Sequence, residues 1–127
     1  MKILNLTQHI TTPEQRAQGV IDLPPRLHAE VKKLLTFEEL PTIEELKWRA
    51  RLLAHIAKKS KVKYAMIGGA PYLMSHLEGA LMQVGVRPVY AFSLRESREE
   101  TLPDGSVRKV NVFTHKGFVD PYGEEEV

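Results

Sequence analysis

Short apolar runs alternate along the chain with segments in which apolar residues recur every three or four positions. The runs cover residues 3–6, 20–23, 64–67 and 89–92, and they predict four strands. The run at 64–67 has no charged position, which is typical of a strand that is covered on both faces in a parallel sheet. A parallel sheet is therefore expected.

Helix signals lie between these runs. The segment Thr12-Pro13-Glu14-Gln15 has a capping threonine, a proline at the first helical position and a glutamine at the third, so it predicts a short helix that ends at Gly19. Helical spacing of apolar residues predicts three more helices, over residues 26–35 and beginning at Ile43 and Pro71. Thr42-Ile43-Glu44-Glu45 is predicted to form a second capping box.

The last part of the chain has a different pattern. Residues 93–102 are polar without a helix-start signal, and residues 107–119 are rich in β-forming side chains. Asp104-Gly105 between them is a strong hairpin signal, so the fourth strand is expected to continue into a long hairpin. A two-residue turn there predicts that His115 lies opposite Leu94.

Strands that alternate with helices predict an α/β fold: an open, mostly parallel, Rossmann-like sheet with helices on both faces and a C-terminal β-hairpin extension. Residues 1–119 are expected to form this single domain, and the acidic residues 120–127 a flexible tail. Ligands bind such sheets beyond the carboxyl ends of the strands. The loops that follow residues 6, 67 and 92 should therefore meet at one site.

Composition excludes several classes of protein. The 127-residue chain has 18 Lys and Arg against 16 Asp and Glu, and its net charge of +2 is too small for binding duplex nucleic acid through bulk charge. Cysteine is absent, which excludes disulfides and thiolate metal sites. No apolar stretch approaches the roughly 20 residues that span a bilayer, and the start of the chain turns polar too early for a signal peptide. We expect a cytoplasmic protein without membrane contact, metal or cofactor.

Two loops carry candidate ligand-binding residues. Thr7, Gln8 and His9 follow the first strand; Thr and Gln suit a sugar or a base edge, and His exchanges protons near neutral pH. Gly68-Gly69 follows the third strand, where backbone amides can hold a phosphate at the start of a helix. Both segments also fit a purely structural interpretation, as a helix cap and a tight strand–helix turn.

The hairpin carries further candidates. Arg95 is nearest the expected cleft and suits a phosphate contact, and Glu96 and Glu99 on the same charged run are further candidates. His115, on the returning strand, is expected beside Arg95. The same residues also fit a solvated edge strand and a packed strand histidine. No His or carboxylate pair has the spacing of a metal-binding motif.

These residues resemble those of small stand-alone CRISPR-associated proteins related to the CARF (CRISPR-associated Rossmann-fold) group, over most of the chain. The motifs are the His-containing loop and helix start at 7–15, Gly68-Gly69, Ser93-Leu94-Arg95, Glu99, Asp104-Gly105 and Phe113-Thr114-His115. The expected basic Phe-Arg-x-Tyr ending reads Phe118-Val119-Asp120-Pro121-Tyr122 here, so one phosphate contact of that family is missing. The central helices match poorly.

The resemblance implies a ring nuclease of antiviral defence, a homodimer that binds a cyclic oligoadenylate second messenger and cleaves it without a metal. In that reaction a ribose 2′-hydroxyl attacks the adjacent phosphorus. The implied catalytic residues are Arg95, His9 and His115, and the implied ligand-binding residues are Thr7, Gln8, Gly68, Gly69, Ser93 and Glu99. Two other interpretations stay open: a non-catalytic nucleotide sensor of the same fold, and a small α/β interaction protein.

Overall fold

The structure, a computed structural model, describes residues 2–123. One sheet contains the five strands β1 (Ile3–Asn5), β2 (Val20–Ile21), β3 (Tyr64–Met66), β4 (Arg87–Thr101) and β5 (Val107–Val119). Their order across the sheet is β2-β1-β3-β4-β5. β1 to β4 run parallel, and β5 runs antiparallel to β4. The predicted α/β fold with a mostly parallel sheet and a C-terminal hairpin is therefore confirmed.

The described helices are α1 (Pro13–Ala17), α2 (Pro25–Leu35), α3 (Ile43–Lys59) and α4 (Pro71–Gln83). α1 begins with the predicted capping box, in which the Thr12 hydroxyl accepts from the Gln15 N–H at 3.2 Å and the Gln15 side chain accepts from the Thr12 N–H at 3.1 Å. At α3, Thr42 accepts from the Glu45 N–H, but the Glu45 carboxylate pairs with Arg49. None of the described helices is both long and apolar enough to cross a membrane.

The sheet separates two apolar clusters. Leu4 and Ala65 lie in the larger cluster, which is completed by buried residues of α2, α3 and α4. Ile3, Met66 and Val89 lie in a smaller cluster on the opposite face, and α1 contacts β2 and β5. Because neighbouring residues of β1 and β3 belong to different clusters, these strands are buried on both faces, as their uncharged sequences predict.

The hairpin register differs from the prediction. The Leu102 N–H donates to the Ser106 carbonyl at 2.8 Å, and Gly105, with a φ of 86°, donates to the Leu102 carbonyl at 2.9 Å. These bonds close a three-residue turn with glycine in the left-handed conformation, so the predicted two-residue turn is wrong. His115 consequently lies opposite Ser93, one residue from its predicted partner.

The segment after β5 is held against β4 and α4. Arg87 Nε donates to the Asp120 carboxylate at 2.8 Å, and the Tyr122 hydroxyl donates to Glu78 at 2.8 Å. The first part of the predicted tail, residues 120–123, therefore has defined contacts. Its remainder, residues 124–127, lies outside the described residues.

Candidate functional site

A hollow of about 540 Å³ opens at the carboxyl ends of β1 and β3. The strand order reverses there, because the chain passes from β1 to β2 on one side and to β3 on the other. The hollow is lined by residues 7–10, Thr12, Gln15, residues 66–69, Tyr90 and Ala91. Its volume is in the range of about 300–1,000 Å³ that small-ligand pockets have. The loops after β1 and β3 therefore share one site, as the fold predicts.

Asn5, the last residue of β1, organises the loop on one side of the hollow. Its side chain is fully buried. Its Nδ2 donates to the His9 carbonyl at 2.6 Å and to Asp22 Oδ1 at 2.9 Å, and its Oδ1 accepts from the N–H and the hydroxyl of Thr7 at 3.0 and 2.6 Å. A buried amide whose donors and acceptor are all paired fixes the surrounding backbone.

Helix α2 holds the same loop from outside. His28 Nε2 donates to the Thr7 carbonyl at 3.1 Å, and Gln8 Nε2 donates to the Leu35 carbonyl at 3.4 Å. His9 is exposed, and among the described residues nothing hydrogen-bonds its imidazole. The backbone of the loop is thus fixed, while the His9 ring stays available to a ligand.

Gly68 and Gly69 form another wall of the hollow. Gly69 has a φ of 152°, a backbone conformation that residues other than glycine rarely adopt. Within residues 2–123, neither glycine N–H has a hydrogen-bond partner. Because α4 begins two residues later at Pro71, these donors lie at the positive end of a helix. Unpaired backbone N–H groups at the start of a helix are the kind of donors that bind anions.

Tyr90 connects the hollow to α4. Its hydroxyl donates to Glu78, whose other carboxylate oxygen accepts from Tyr122. Burial, together with the hydrogen bond to Glu78, raises the pKa of Tyr90. Tyr90 therefore remains a protonated donor to Glu78 and does not act as a base at neutral pH. Apart from Tyr90, His9 is the one ionisable side chain among the described lining residues.

Four of the predicted site residues lie outside this hollow: Ser93, Arg95, Glu99 and His115. Arg95 follows Ala91 by four residues along β4, which at about 3.3 Å per residue places it about 13 Å from the hollow's edge. Both Arg95 and Glu99 are exposed. The structure therefore brings Thr7, Gln8, His9, Gly68 and Gly69 together, and leaves the hairpin candidates apart from them within one chain.

His115 packs against α1. Its Nε2 lies 3.0 Å from Gln18 Oε1, and its ring meets Phe118 with 4.9 Å between the ring centroids. An amide oxygen only accepts, so Nε2 carries the proton. Nδ1 is buried and has no partner in the described part of the chain. These contacts favour the packed strand histidine over a proton carrier at the hollow.

The family model described as "Uncharacterized protein MJ1673 family" matches residues 1–119. The chain belongs to this family. No curated protein and no solved structure gives a significant match. All residues that line the hollow fall within the part of the chain that the MJ1673 family model covers.

Three residues that support the site in this MJ1673-family chain are absent from the sequence prediction: Asn5, His28 and Tyr90. Asn5 had a signal, because it is a polar residue inside an apolar strand run. His28 lies 21 positions from the Thr7 carbonyl that it binds, so only the packing of α2 against β1 reveals the contact. Tyr90 looked like an ordinary buried strand residue.

Asp22 anchors the Asn5 network and makes it sensitive to acid. Burial works to raise the pKa of Asp22, but hydrogen bonds from Thr11 and Asn5 and the charge of Arg16 outweigh it and hold the pKa below its usual value of 3.8. A lowered pKa in the folded state stabilises the fold above the unfolded pKa, and this contribution is lost as pH falls through the folded pKa.

We therefore expect Asp22→Asn to remove part of the acid sensitivity of the fold. The difference in unfolding free energy between wild type and Asp22→Asn should be constant above about pH 5 and shrink as pH falls below the unfolded pKa. Urea denaturation at several pH values measures this difference, with Glu14→Gln on α1 as the control. A difference that stays constant throughout the acid range would contradict this role for Asp22.

Proposed function

We propose that this chain is a ring nuclease that binds a cyclic oligoadenylate and cleaves it without a metal ion. One observation carries the proposal: a single hollow at the switch point combines a fixed polar loop, two backbone N–H donors without a partner in residues 2–123, and an exposed imidazole. Those are the groups that a ribose–phosphate unit needs, namely hydroxyl and amide partners, an anion site and a proton carrier. The resemblance to CARF-related proteins supports the same function.

The reaction requires little chemistry from side chains. The 2′-oxygen of one ribose bonds to the adjacent phosphorus while the bond from phosphorus to the next 5′-oxygen breaks. The products are a 2′,3′-cyclic phosphate and a 5′-hydroxyl. Holding the 2′-oxygen in line with the leaving oxygen supplies much of the rate. In this proposal the fixed loop at residues 7–9 orients the ribose and His9 exchanges a proton with one of the two oxygens, while water exchanges the proton of the other.

Charge on the phosphoryl oxygens must also be stabilised. Among the described residues, the lining of the hollow includes no Lys or Arg. The proposal therefore gives this role to the N–H groups of Gly68 and Gly69, which lie at the positive end of α4, rather than to Arg95.

The size and symmetry of the ligand favour a homodimer. A cyclic oligonucleotide contains several nucleotides, whereas one hollow of about 540 Å³ has the size of a pocket for a single small molecule. A two-fold dimer presents two equivalent hollows, and a symmetric ring can occupy both.

The test is incubation with cyclic tri-, tetra- and hexa-adenylate in EDTA, with chromatography and mass spectrometry of the products. Linear products that end in a 2′,3′-cyclic phosphate support the proposal. Binding without cleavage contradicts the enzyme and favours the nucleotide sensor. Neither binding nor cleavage contradicts both and favours the interaction protein.

We expect His9→Ala to lower the turnover of the cleaved ring by about 10²–10⁴-fold, because a positioned proton carrier contributes about that much. Binding of the ring should change little, since the backbone of the loop is held by Asn5 and His28. His55→Ala, which removes an exposed imidazole from α3, is the matched control. Equal turnover and an equal pH profile for His9→Ala and wild type would exclude His9 as the proton carrier.

A further inference from the structure

β4 and β5 continue beyond the sheet as a two-stranded ribbon. β4 pairs with β3 only at residues 87–89, whereas its residues up to Thr101 pair with β5 alone. From Ala91 to Thr101 the ribbon is about 33 Å long at about 3.3 Å per residue. A two-stranded ribbon on its own is marginally stable in water. α1 contacts β5 at the base of the ribbon, but no third strand pairs with the rest of it in the described part of the chain, so a partner there would stabilise it.

The two faces of the ribbon differ in their contacts. We name the odd-numbered residues 93–101 and 107–113 the open face, and the even-numbered residues 94–100 and 108–114 the paired face. On the paired face Glu100 binds Arg108 at 3.0 Å, and Glu96 binds Thr114 and Lys116 at 3.1 and 2.9 Å. Its charges are thus largely satisfied within the chain.

On the open face the Ser97 hydroxyl donates to Asn111 Oδ1 at 3.1 Å, but none of its charged residues forms an ion pair in the described part of the chain. All nine residues of this face are exposed, and Phe113 and Val107 are 76% and 58% exposed. Phe113 lies opposite Arg95 near the sheet and Val107 lies opposite Thr101 at the tip, so polar and charged residues separate the two apolar side chains of this face.

The charges on the open face of one copy are complementary to those on the open face of a second copy. Arg95 lies opposite Phe113 across the ribbon, and Glu99 lies opposite Lys109. If a two-fold axis runs parallel to the strands, between the open faces of two copies, β4 of each copy lies over β5 of the other. Arg95 then meets Phe113 of the second copy, and Glu99 meets Lys109 of the second copy. Each contact occurs twice, as a two-fold interface requires, and pairs a cation with an aromatic ring or with a carboxylate.

We propose that the open face packs on the open face of a second copy of this chain, with Glu99 paired to Lys109 between the copies. The homodimer itself belongs to the proposed function, on which this inference builds; the surface and its charge pairs are new. Their test measures mass rather than cleavage, so either proposal can fail alone.

The test uses two charge reversals and their mixture. Wild type should have twice the chain mass of 14.4 kDa in sedimentation equilibrium. Glu99→Lys and Lys109→Glu should each weaken dimerisation at least about tenfold, because like charges then face each other between the copies. Either change also places like charges opposite each other within its own ribbon. Mixing the two variants separates these effects, since each mixed dimer restores both pairs between the copies while the repulsion within each ribbon persists.

Glu100→Lys is the matched control, because it makes the same charge change on the paired face. It should leave the dimer intact, and circular dichroism melts establish that every variant is folded. Recovery of the dimer mass in the mixture supports the proposal. A monomeric wild type, dimeric single variants, a mixture that stays monomeric, or loss of the dimer in Glu100→Lys would each overturn it.

Discussion

Asn5→Asp is expected to lower the free energy of unfolding by about 3–5 kcal/mol at neutral pH, the cost of burying an uncompensated charge. The change replaces an amide donor with a carboxylate oxygen in a fully buried position. That oxygen would face Asp22 Oδ1, now 2.9 Å from Asn5 Nδ2, and the His9 carbonyl at 2.6 Å. Three acceptors would then meet, and the nearby Thr11 hydroxyl, 3.3 Å from the Asn5 Nδ2 position, already donates to Asp22. Total stabilities of about 5–15 kcal/mol make this loss severe.

Urea denaturation measures the loss of unfolding free energy. The pH dependence of this loss distinguishes the effect of the introduced charge from that of altered packing. Acid protonates the introduced carboxyl and restores a donor, so the deficit relative to wild type should shrink as pH falls. Gln83→Glu, which makes the same amide-to-carboxylate change at an exposed position of α4, is the matched control and should stay within about 0.5 kcal/mol of wild type. A deficit below about 1 kcal/mol at neutral pH would mean that the loop does not depend on Asn5.

Arg49→Met is expected to lower the free energy of unfolding by about 2–3 kcal/mol, within the range for hydrogen bonds of a charged group. The guanidinium donates to the carbonyls of Lys33, Leu34 and Thr36 at the end of α2, at 3.2, 3.1 and 2.6 Å. It also lies 4.3 Å from the Phe37 ring centroid. One side chain of α3 thus supplies partners for carbonyls that a helix end leaves unpaired.

Two companion variants make this second prediction specific. Arg49→Lys keeps the charge but loses the forked donors, so its loss should be intermediate. Arg51→Met removes an exposed arginine two positions along α3 and should change stability by less than about 0.5 kcal/mol. Denaturation curves measure all three variants. Equal losses for Arg49→Met and Arg51→Met would show that the contacts at the end of α2 contribute nothing.

The starts of the helices were predictable because their causes are local. The capping box at Thr12 and the prolines at 13, 25 and 71 act within one turn of chain, so a short window of sequence contains the whole signal. At Thr42 the same motif is only half formed, because Arg49, one turn further along α3, competes for the Glu45 carboxylate. A local rule fails where a partner outside its window binds one of its groups.

The length of the hairpin turn determines which residues face each other along both strands, so an error of one residue in the turn shifts every predicted pair. The dipeptide Asp104-Gly105 lies in the turn, as predicted. The last hydrogen-bonded pair, however, is Leu102 with Ser106, so the loop contains three residues and not two. This shift places His115 opposite Ser93 and within reach of Gln18, the residue that follows α1. Turn composition alone does not state how many residues the loop contains, so the partners of His115 were not readable from the sequence.

The sequence predicted those parts of the candidate site that follow from the general position of ligand sites in parallel sheets. Loops after parallel strands meet at one end of the sheet, which brings Thr7, His9 and Gly68 together. Arg95 would follow β4 in the same way only if that strand ended at Phe92, whereas the hairpin signal predicts that the strand continues. Because β4 continues to Thr101, Arg95 is carried along the ribbon instead.

The hollow has a consequence for ligand searches. Its walls come from chain segments more than 80 positions apart, between Thr7 and Ala91, and they meet only after β1 has paired with β3. A compound that occupies it therefore binds the native state and not the denatured chain. Such a compound raises stability by about 2.7 kcal/mol at a hundredfold excess over its Kd, so the melting temperature itself reports occupancy across a nucleotide library.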